Sequence, residues 1–368
     1  MGIWFRVIKY KKIRMKKKSL KRNLSFVYLL IVFFTISCSK DDDTNTETEI
    51  PVEMGTSTIT EMGTSTITSG TSTITEMATE TLNFNVSAIT ENASFTARHG
   101  HATIVFKDRL WVIAGSEDGF GGTQDVWSSA DGVTWTEETT NADFVERFDH
   151  TTVIFEDRLW VIAGYNEDRF LGGTRDVWSS ADGKEWREET LNGGFGYKEG
   201  HTSVVFDNKL WAIGGYDDVW SSVNGIDWVK ETENAVGDRY RHTSVVFNDK
   251  LWVIGGRNEG DDKNDVWSSV NGVDWVEEIE NAPFSARSGH TSVVFNDKMW
   301  VIGGNDKNDV WSSVNGVDWI EETENAPFSA RTGHSSVVYN NQIWVIGGTS
   351  HLFNTDEFEN DVWAFGLE

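Results

Sequence analysis

The chain has 368 residues and a formal charge of −26, with 58 acidic against 32 basic side chains. A body this acidic lacks the clustered Lys and Arg that a phosphate backbone demands, which excludes nucleic acid as a partner. Eighteen Trp and 34 Gly beside three Pro point to sheets packed through large flat side chains and joined by tight turns, and the single cysteine, Cys38, excludes an internal disulfide.

The first segment reads as an address. Residues 1–37 hold ten Lys or Arg and no acid, so the remainder carries −36. A basic run from Lys16 to Arg22 precedes thirteen apolar or nearly apolar residues, Leu24 to Ile36. A basic stretch before 7–15 apolar residues is the pattern of a signal peptide, whereas a spanning helix needs about 20. Residues 1–37 are therefore expected to be a signal peptide, with Met15 as an alternative start. The sequence Thr35-Ile36-Ser37-Cys38 resembles the lipobox of bacterial lipoproteins, although Thr35 stands where Leu is usual. The resemblance implies that Cys38 is lipidated and becomes the new N-terminus. Ser39-Lys40-Asp41-Asp42-Asp43 is similar to the acidic export signal of Bacteroidetes surface lipoproteins. That implies anchorage in the outer membrane facing the exterior, with the lipid as the only membrane contact.

Residues 38–81 follow as a Thr/Ser-rich tract in which Met54-Gly55-Thr56-Ser57-Thr58-Ile59-Thr60-Glu61 recurs nearly intact from Met62. Such a composition buries too little apolar surface to offset its ordering entropy, so a disordered tether is expected.

From residue 98 the chain repeats itself six times, and a period of 40–50 residues signals a propeller or solenoid. The clearest unit runs from Ser285 to Trp319. It divides into four short strands: A (His-Thr-Ser-Val-Val-Phe), B (Met-Trp-Val-Ile-Gly-Gly), C (Asp-Val-Trp-Ser-Ser) and, after an Asn-Gly turn, D with its own Trp. Seventeen of the eighteen Trp fall on strands B, C and D, and only Trp4 lies outside. The sixth repeat stops after strand C at Phe365, and the segment 82–90 is expected to supply its missing strand D, with Val86 in the Trp position. Such a strand would close the ring and remove exposed sheet edges.

This pattern resembles the kelch family: an Arg-x-Gly-His opening, a Gly-Gly ending strand B (214–215, 255–256, 303–304, 347–348; Ala-Gly in the first two repeats), an aromatic strand C and a strand D Trp. The resemblance covers 82–366 and implies an all-β, six-bladed kelch-like β-propeller with four antiparallel strands per blade, here with an N-terminal strand completing the last. The Ser-Ala-Asp131-Gly132 turn is weakly similar to the Asp-box of sialidases, and a structural hairpin turn accounts for it.

The spacing between successive opening His residues (His101, His150, His201, His242, His290, His334) varies from 41 to 51, yet 39 or 40 remain once the B–C loops are removed. Length variation is thus confined to one loop class, on the face shared by the B–C and D–A loops. Binding residues collect on loops of a rigid scaffold. The long loops of blades six, one and two beside the short loop of blade three predict a lopsided groove.

On that face stand the candidate ligand-binding residues. Arg98, Arg147, Lys198, Arg239, Arg287 and Arg331 each lie three residues before an opening His. They could form a ring attracting an anion such as a carboxylated sugar, or each could pair within its own D–A corner. Asp149 and Arg241 occupy a position that is Gly in the other four repeats. Tyr197 and Tyr240 interrupt the usual small residues, Tyr216 fills the shortest loop, and Phe120, Phe170, His351 and Phe353 lie on long ones. The opening His residues occur six times where a ligand or base is needed once, and so read as structural. The pairs Glu137–Glu138, Glu188–Glu189, Glu277–Glu278 and Glu321–Glu322 could be glycosidase carboxylates, but on an outermost strand they serve better as charges against edge pairing.

The expectation is a monomeric, non-catalytic binding module for a glycan or protein, with no cofactor and no metal. A carbohydrate-active enzyme, sialidase-like hydrolase or sugar epimerase, is the alternative, since related propellers host such activities. A galactose-oxidase-type copper centre is excluded because its Tyr–Cys crosslink needs a Cys within the domain.

Overall fold

The computed structural model describes residues 58–367 except 70–71, 168–172, 216–217, 234 and 351–356, with side chains from Val86 to Gly366. Each repeat folds as its side-chain alternation and its turns require. The innermost strands A are Ala102–Phe106, Thr151–Phe155, Thr202–Phe206, Thr243–Phe247, Thr291–Phe295 and Ser335–Tyr339. Each pairs antiparallel with a strand B whose Trp lies opposite a Val or Ile of strand A. The A–B turns hold two consecutive non-Gly residues at φ 48–58°, such as Asn296 and Asp297. A two-residue hairpin needs positive φ at both positions to match strand twist, and Asn and Asp tolerate it best.

Strands C follow B in every blade, and D follows C in the first five. The C–D turns are built alike: Ser129 Oγ accepts the Gly132 N–H, and Asp131 Oδ1 accepts those of Val133 and Thr134. Asn271 and Asn315 repeat this in blades four and five. The Asp-box-like turn is thus a hairpin device shared by blades one to five.

Blades lock to one another through the same turns. A Cβ on Gly183 would stand 2.2 Å from the ring of Trp111 in the preceding blade, and Gly132, Gly225, Gly272 and Gly316 meet Trp344, Trp160, Trp211 and Trp252 in the same way. Only a residue without a side chain lets the turn lie flat on the indole. Each of these strand-B indoles donates its N–H to the carbonyl of the last strand-A residue, for example Trp111 to Phe106 at 2.8 Å. Six buried clusters, each drawn from two neighbouring blades, form the core.

The sixth blade is completed by the N-terminus as expected. Ser72–Thr90 pairs with Glu357–Leu367, with Ala88 opposite Trp363 and Val86 opposite Phe365. Val86 packs against the cluster between blades five and six, in the place of a strand D Trp. Blade six lacks a C–D turn, and Trp300 of blade five meets Phe365 instead, ring centroids 6.3 Å apart. One expectation needs correction. Residues 58–81, read as part of a disordered tether, are largely paired: Thr58–Ser69 runs antiparallel to the first part of Ser72–Thr90, from Thr58 opposite Asn83 to Ser69 opposite Ser72. The β-branched Thr and Ile of this tract favour extended backbone, and the strand leaving blade six gives them an edge to continue. Residues 38–57 lie outside the described residues.

Candidate functional site

Where the chain turns into each strand A, the residue before the opening His sits at the ring axis. These six residues are Gly100, Asp149, Gly200, Arg241, Gly289 and Gly333. Their backbones form a closed circle in which each N–H donates to the carbonyl of the corresponding residue in the preceding blade: Asp149 to Gly100, Gly200 to Asp149, Arg241 to Gly200, Gly289 to Arg241, Gly333 to Gly289 and Gly100 to Gly333, all at 2.6–3.2 Å. The circle requires left-handed backbone, and the four glycines adopt φ 58–63°. Asp149 and Arg241 hold φ 50° and 52° with side chains attached. Each such residue costs about 1 kcal/mol or more, and strain of this kind gathers at functional sites.

Those two side chains meet. Arg241 Nη2 donates to Asp149 Oδ2 at 3.1 Å, across the glycine at position 200. A Cβ there would press within 3.2 Å of Arg241 Cγ. On the other side, a Cβ on Gly100 would meet Asp149 Oδ1 at 2.7 Å, so glycine there leaves room for the carboxylate. The pair therefore bars part of an axial cavity of about 290 Å³ whose lining includes all six opening His.

The opening His residues knit the inner strands together. In five blade junctions a strand-A hydroxyl contacts both the next His Nε2 and the next blade's Ser or Thr: Thr151 with His201 and Ser203, Thr202 with His242 and Ser244, Thr243 with His290 and Ser292, Thr291 with His334 and Ser336, Ser335 with His101 and Thr103. Between blades one and two the hydroxyl is missing, because Ala102 stands in its place. His150 Nδ1 and Nε2 and Thr152 Oγ1 are left buried without partners. Burial lowers the pKa of all six, to about 3 for His150 and His334, with the nearby Arg or Lys adding to the effect. The ring is neutral at pH 7.

A second hollow of about 270 Å³ adjoins the axis over blades one to three. An arc of rings borders it: His99 stacks on Phe358 at 5.4 Å and contacts Phe148 at 5.6 Å, and Phe148 contacts Tyr165 at 4.9 Å. Phe120, 71% exposed, Tyr240 and the carboxylates of Glu167 and Glu199 complete the walls beside the Asp149–Arg241 pair. Burial, followed by the neighbouring Asp149 carboxylate, raises the Glu199 pKa above the usual range.

The basic ring needs correction. Arg98, Arg147, Lys198, Arg239, Arg287 and Arg331 are 0–1% exposed. Each reaches inward to a strand-C aspartate, respectively Asp125, Asp176, Asp218, Asp265, Asp309 and Asp361. The five arginines bind theirs through both terminal nitrogens and also donate to the backbone carbonyl sixteen residues on. They brace the D–A corners and offer no charge to a ligand. Each aspartate carries a Trp at i+2, whose indole N–H completes the unit in five blades. Lys198 is the exception, and Trp220 Nε1 beside it is buried without a partner.

Of the other candidates, Asp149, Tyr240 and Arg241 come together at the hollow. Tyr197 lies under Arg175, 5.1 Å from its guanidinium, and lines neither cavity. Tyr216, His351, Phe353 and Phe170 lie outside the described residues, as does Cys38. The glutamate pairs stand on strands D, where Glu138, Glu189, Glu278 and Glu322 accept the hydroxyls of Ser128, Ser179, Ser268 and Ser312. The residue just before each axial position escaped the sequence reading except at Tyr240. It is His99, Phe148, Glu199, Tyr240, Ser288 and Thr332 in turn, different in every repeat, and four of the six line the second hollow. That variability within a constant frame was the signal.

Two family models match parts of the chain: the KLHDC2/KLHL20/DRC7 Kelch-repeats domain over residues 241–368 and the DUF6242 beta propeller domain over residues 129–241. Among solved structures, that of YjhT superposes with a TM-score of 0.62 at 15% identity, covering 76% of this chain and 97% of that one. At that identity the likeness is one of fold. No curated protein matches the sequence. With its repeats, its ring of four-stranded blades and its N-terminal closing strand, the described region is a six-bladed β-propeller, and its residues 241–368 match a kelch-repeat family model.

Proposed function

We propose that this propeller is a non-catalytic binding module that engages a glycan or protein ligand at the axial face carrying the B–C and D–A loops. The observation that carries this reading is the Asp149–Arg241 pair. Four blades place glycine at the axial position, and two accept left-handed strain there in order to hold charged side chains over the cavity. Strain without a packing benefit is expected where function requires it. An aromatic-walled hollow with a few polar groups beside the pair is the ordinary make-up of a ligand site.

The module is displayed outside the cell in this reading. The basic run, the apolar stretch and Cys38 support export and lipid anchorage, with the segment between Cys38 and the closing strand as the spacer. Screening the full chain on glycan and peptide arrays tests the binding reading, with Asp149→Ala and Arg241→Ala as the paired variants. Binding that either substitution lowers at least tenfold supports it. Binding untouched by both places the ligand elsewhere. Failure of a Cys38→Ser protein to lose its acyl label would remove the anchor.

A further inference from the structure

The two cavities differ in charge. In the axial cavity the lining includes the Asp149–Arg241 pair, which neutralise each other, the six neutral opening histidines and His99. The adjoining hollow shares that pair and adds Glu167 and Glu199. Among the described residues neither glutamate has a basic side chain within ion-pair distance, because Arg241 is turned to Asp149. Over the described lining residues the surplus charge of the hollow is therefore negative. Its remaining side-chain walls are the rings of His99, Phe148, Tyr165, Tyr240 and the exposed Phe120.

Carboxylates in excess over cations, three to the one Arg241 that Glu199 shares with Asp149, beside aromatic faces suit one chemistry, a cation. Ring quadrupoles attract an ammonium or guanidinium placed over their faces, and a partly desolvated carboxylate gains most from an opposite charge. A neutral sugar would use the rings but leave Glu199 uncompensated, and an anion would meet repulsion. The acidic body of the protein also draws cations toward the surface.

We infer that the hollow over blades one to three receives a Lys or Arg side chain of a protein partner, its charge held by Glu199 and Glu167 and its stem by the rings of Phe148, Tyr165 and Tyr240. This deepens the binding-module reading and rests on it. Glu199 is the informative residue. It is partly buried, sits at the repeat position that differs in every blade, and is crowded by the Asp149 carboxylate. A bound cation relieves that crowding.

The test uses the full chain and an array of pentapeptides with a central Lys, Arg, acetyl-lysine, norleucine or Glu between glycines, alongside the glycan array. Lys and Arg peptides are expected to bind at least tenfold more tightly than the acetyl-lysine and norleucine peptides, and to weaken as salt rises. Glu199→Gln should lower that affinity about tenfold with an unchanged melting temperature, while Glu199→Asp retains most of it. Equal binding of Lys and norleucine peptides overturns the inference, as does Lys binding indifferent to Glu199→Gln. A glycan bound in a manner abolished by Asp149→Ala would also overturn it, yet leave the binding-module reading standing. Silence on both arrays would sink both.

Discussion

The blade corners and the axial rim use the same kind of contact to opposite ends. In the corners, Arg98, Arg147, Arg239, Arg287 and Arg331 are buried against aspartates in five nearly identical copies. At the rim, Arg241 meets Asp149 once, with 42% of the arginine side chain exposed, on backbone that glycine would fit better. Repetition marks an ion pair that builds the ring, and singularity marks one that the ring was modified to carry. A charged residue's position along the chain does not distinguish these roles, but its number of copies does.

The largest test concerns the inner ring, where all six histidines are held neutral. Their folded pKa values lie well below the usual 6.5, to about 3 for His150 and His334. Below pH 6.5 the unfolded chain takes up protons on these residues and the native ring does not. Stability is therefore full above about pH 7 and falls with decreasing pH, by about 1.4 kcal/mol per pH unit for each histidine. Urea midpoints at pH 7, 6 and 5 should drop steeply, and a flat profile would break the six-fold neutral ring. The Asp125, Asp176 and Asp309 carboxyls, whose pKa values are lowered by Arg partners against the cost of burial, lose their contribution only further down, as pH falls through the range below 4.

Next comes the contrast itself. Arg287→Ala strands Asp309 in the blade interior and is expected to cost about 3–5 kcal/mol. Arg241→Ala at the rim should change stability by about 1 kcal/mol or less. Chemical denaturation of the two variants side by side decides it, and equal losses would erase the distinction between corner and rim.

A smaller effect sharpens the comparison from the other direction. Ala102→Thr restores the hydroxyl found at the other five junctions and gives His150 Nε2 and Thr152 Oγ1 their partner. A gain of about 1–2 kcal/mol is expected, because buried unpaired polar groups are costly. A loss of stability would show that the gap has been repacked. The smallest effect is expected for Asp149→Gly combined with Arg241→Gly. Relief of left-handed strain offsets the loss of an exposed pair, so the melting temperature should stay level or rise slightly while ligand binding disappears.

The fold could be read from residues whose chemistry is local. Asn-Gly and Asp-Gly fix the C–D turns, Trp at constant offsets fixes strands B to D, and Val86 in the Trp register places the closing strand. The hairpin at Thr58–Ser69 could not be read this way, because composition alone does not reveal that the closing strand leaves an edge for it. The site was half visible. Asp149 and Arg241 stood out by breaking a glycine pattern. The six basic residues left two readings open, and the one borne out, pairing within each D–A corner, could not name its partners, because the aspartates two residues before each strand-C Trp lie 20–30 positions away and join them only once the blade has closed. Phe148 and Glu199 were hidden for a different reason: no residue type repeats at their position.

The circle of six backbone hydrogen bonds at the axis has a mechanical meaning. A strand or helix can fray from an end, but a head-to-tail circle has none, and widening it anywhere lengthens bonds all the way round. The rim thus behaves as a collar of fixed bore. In the proposed binding reading, a ligand above the collar would meet backbone that is already ordered there, so little ordering entropy is lost at that point. The Asp149–Arg241 pair stands on two of the six members of that collar, outside its ring of backbone bonds.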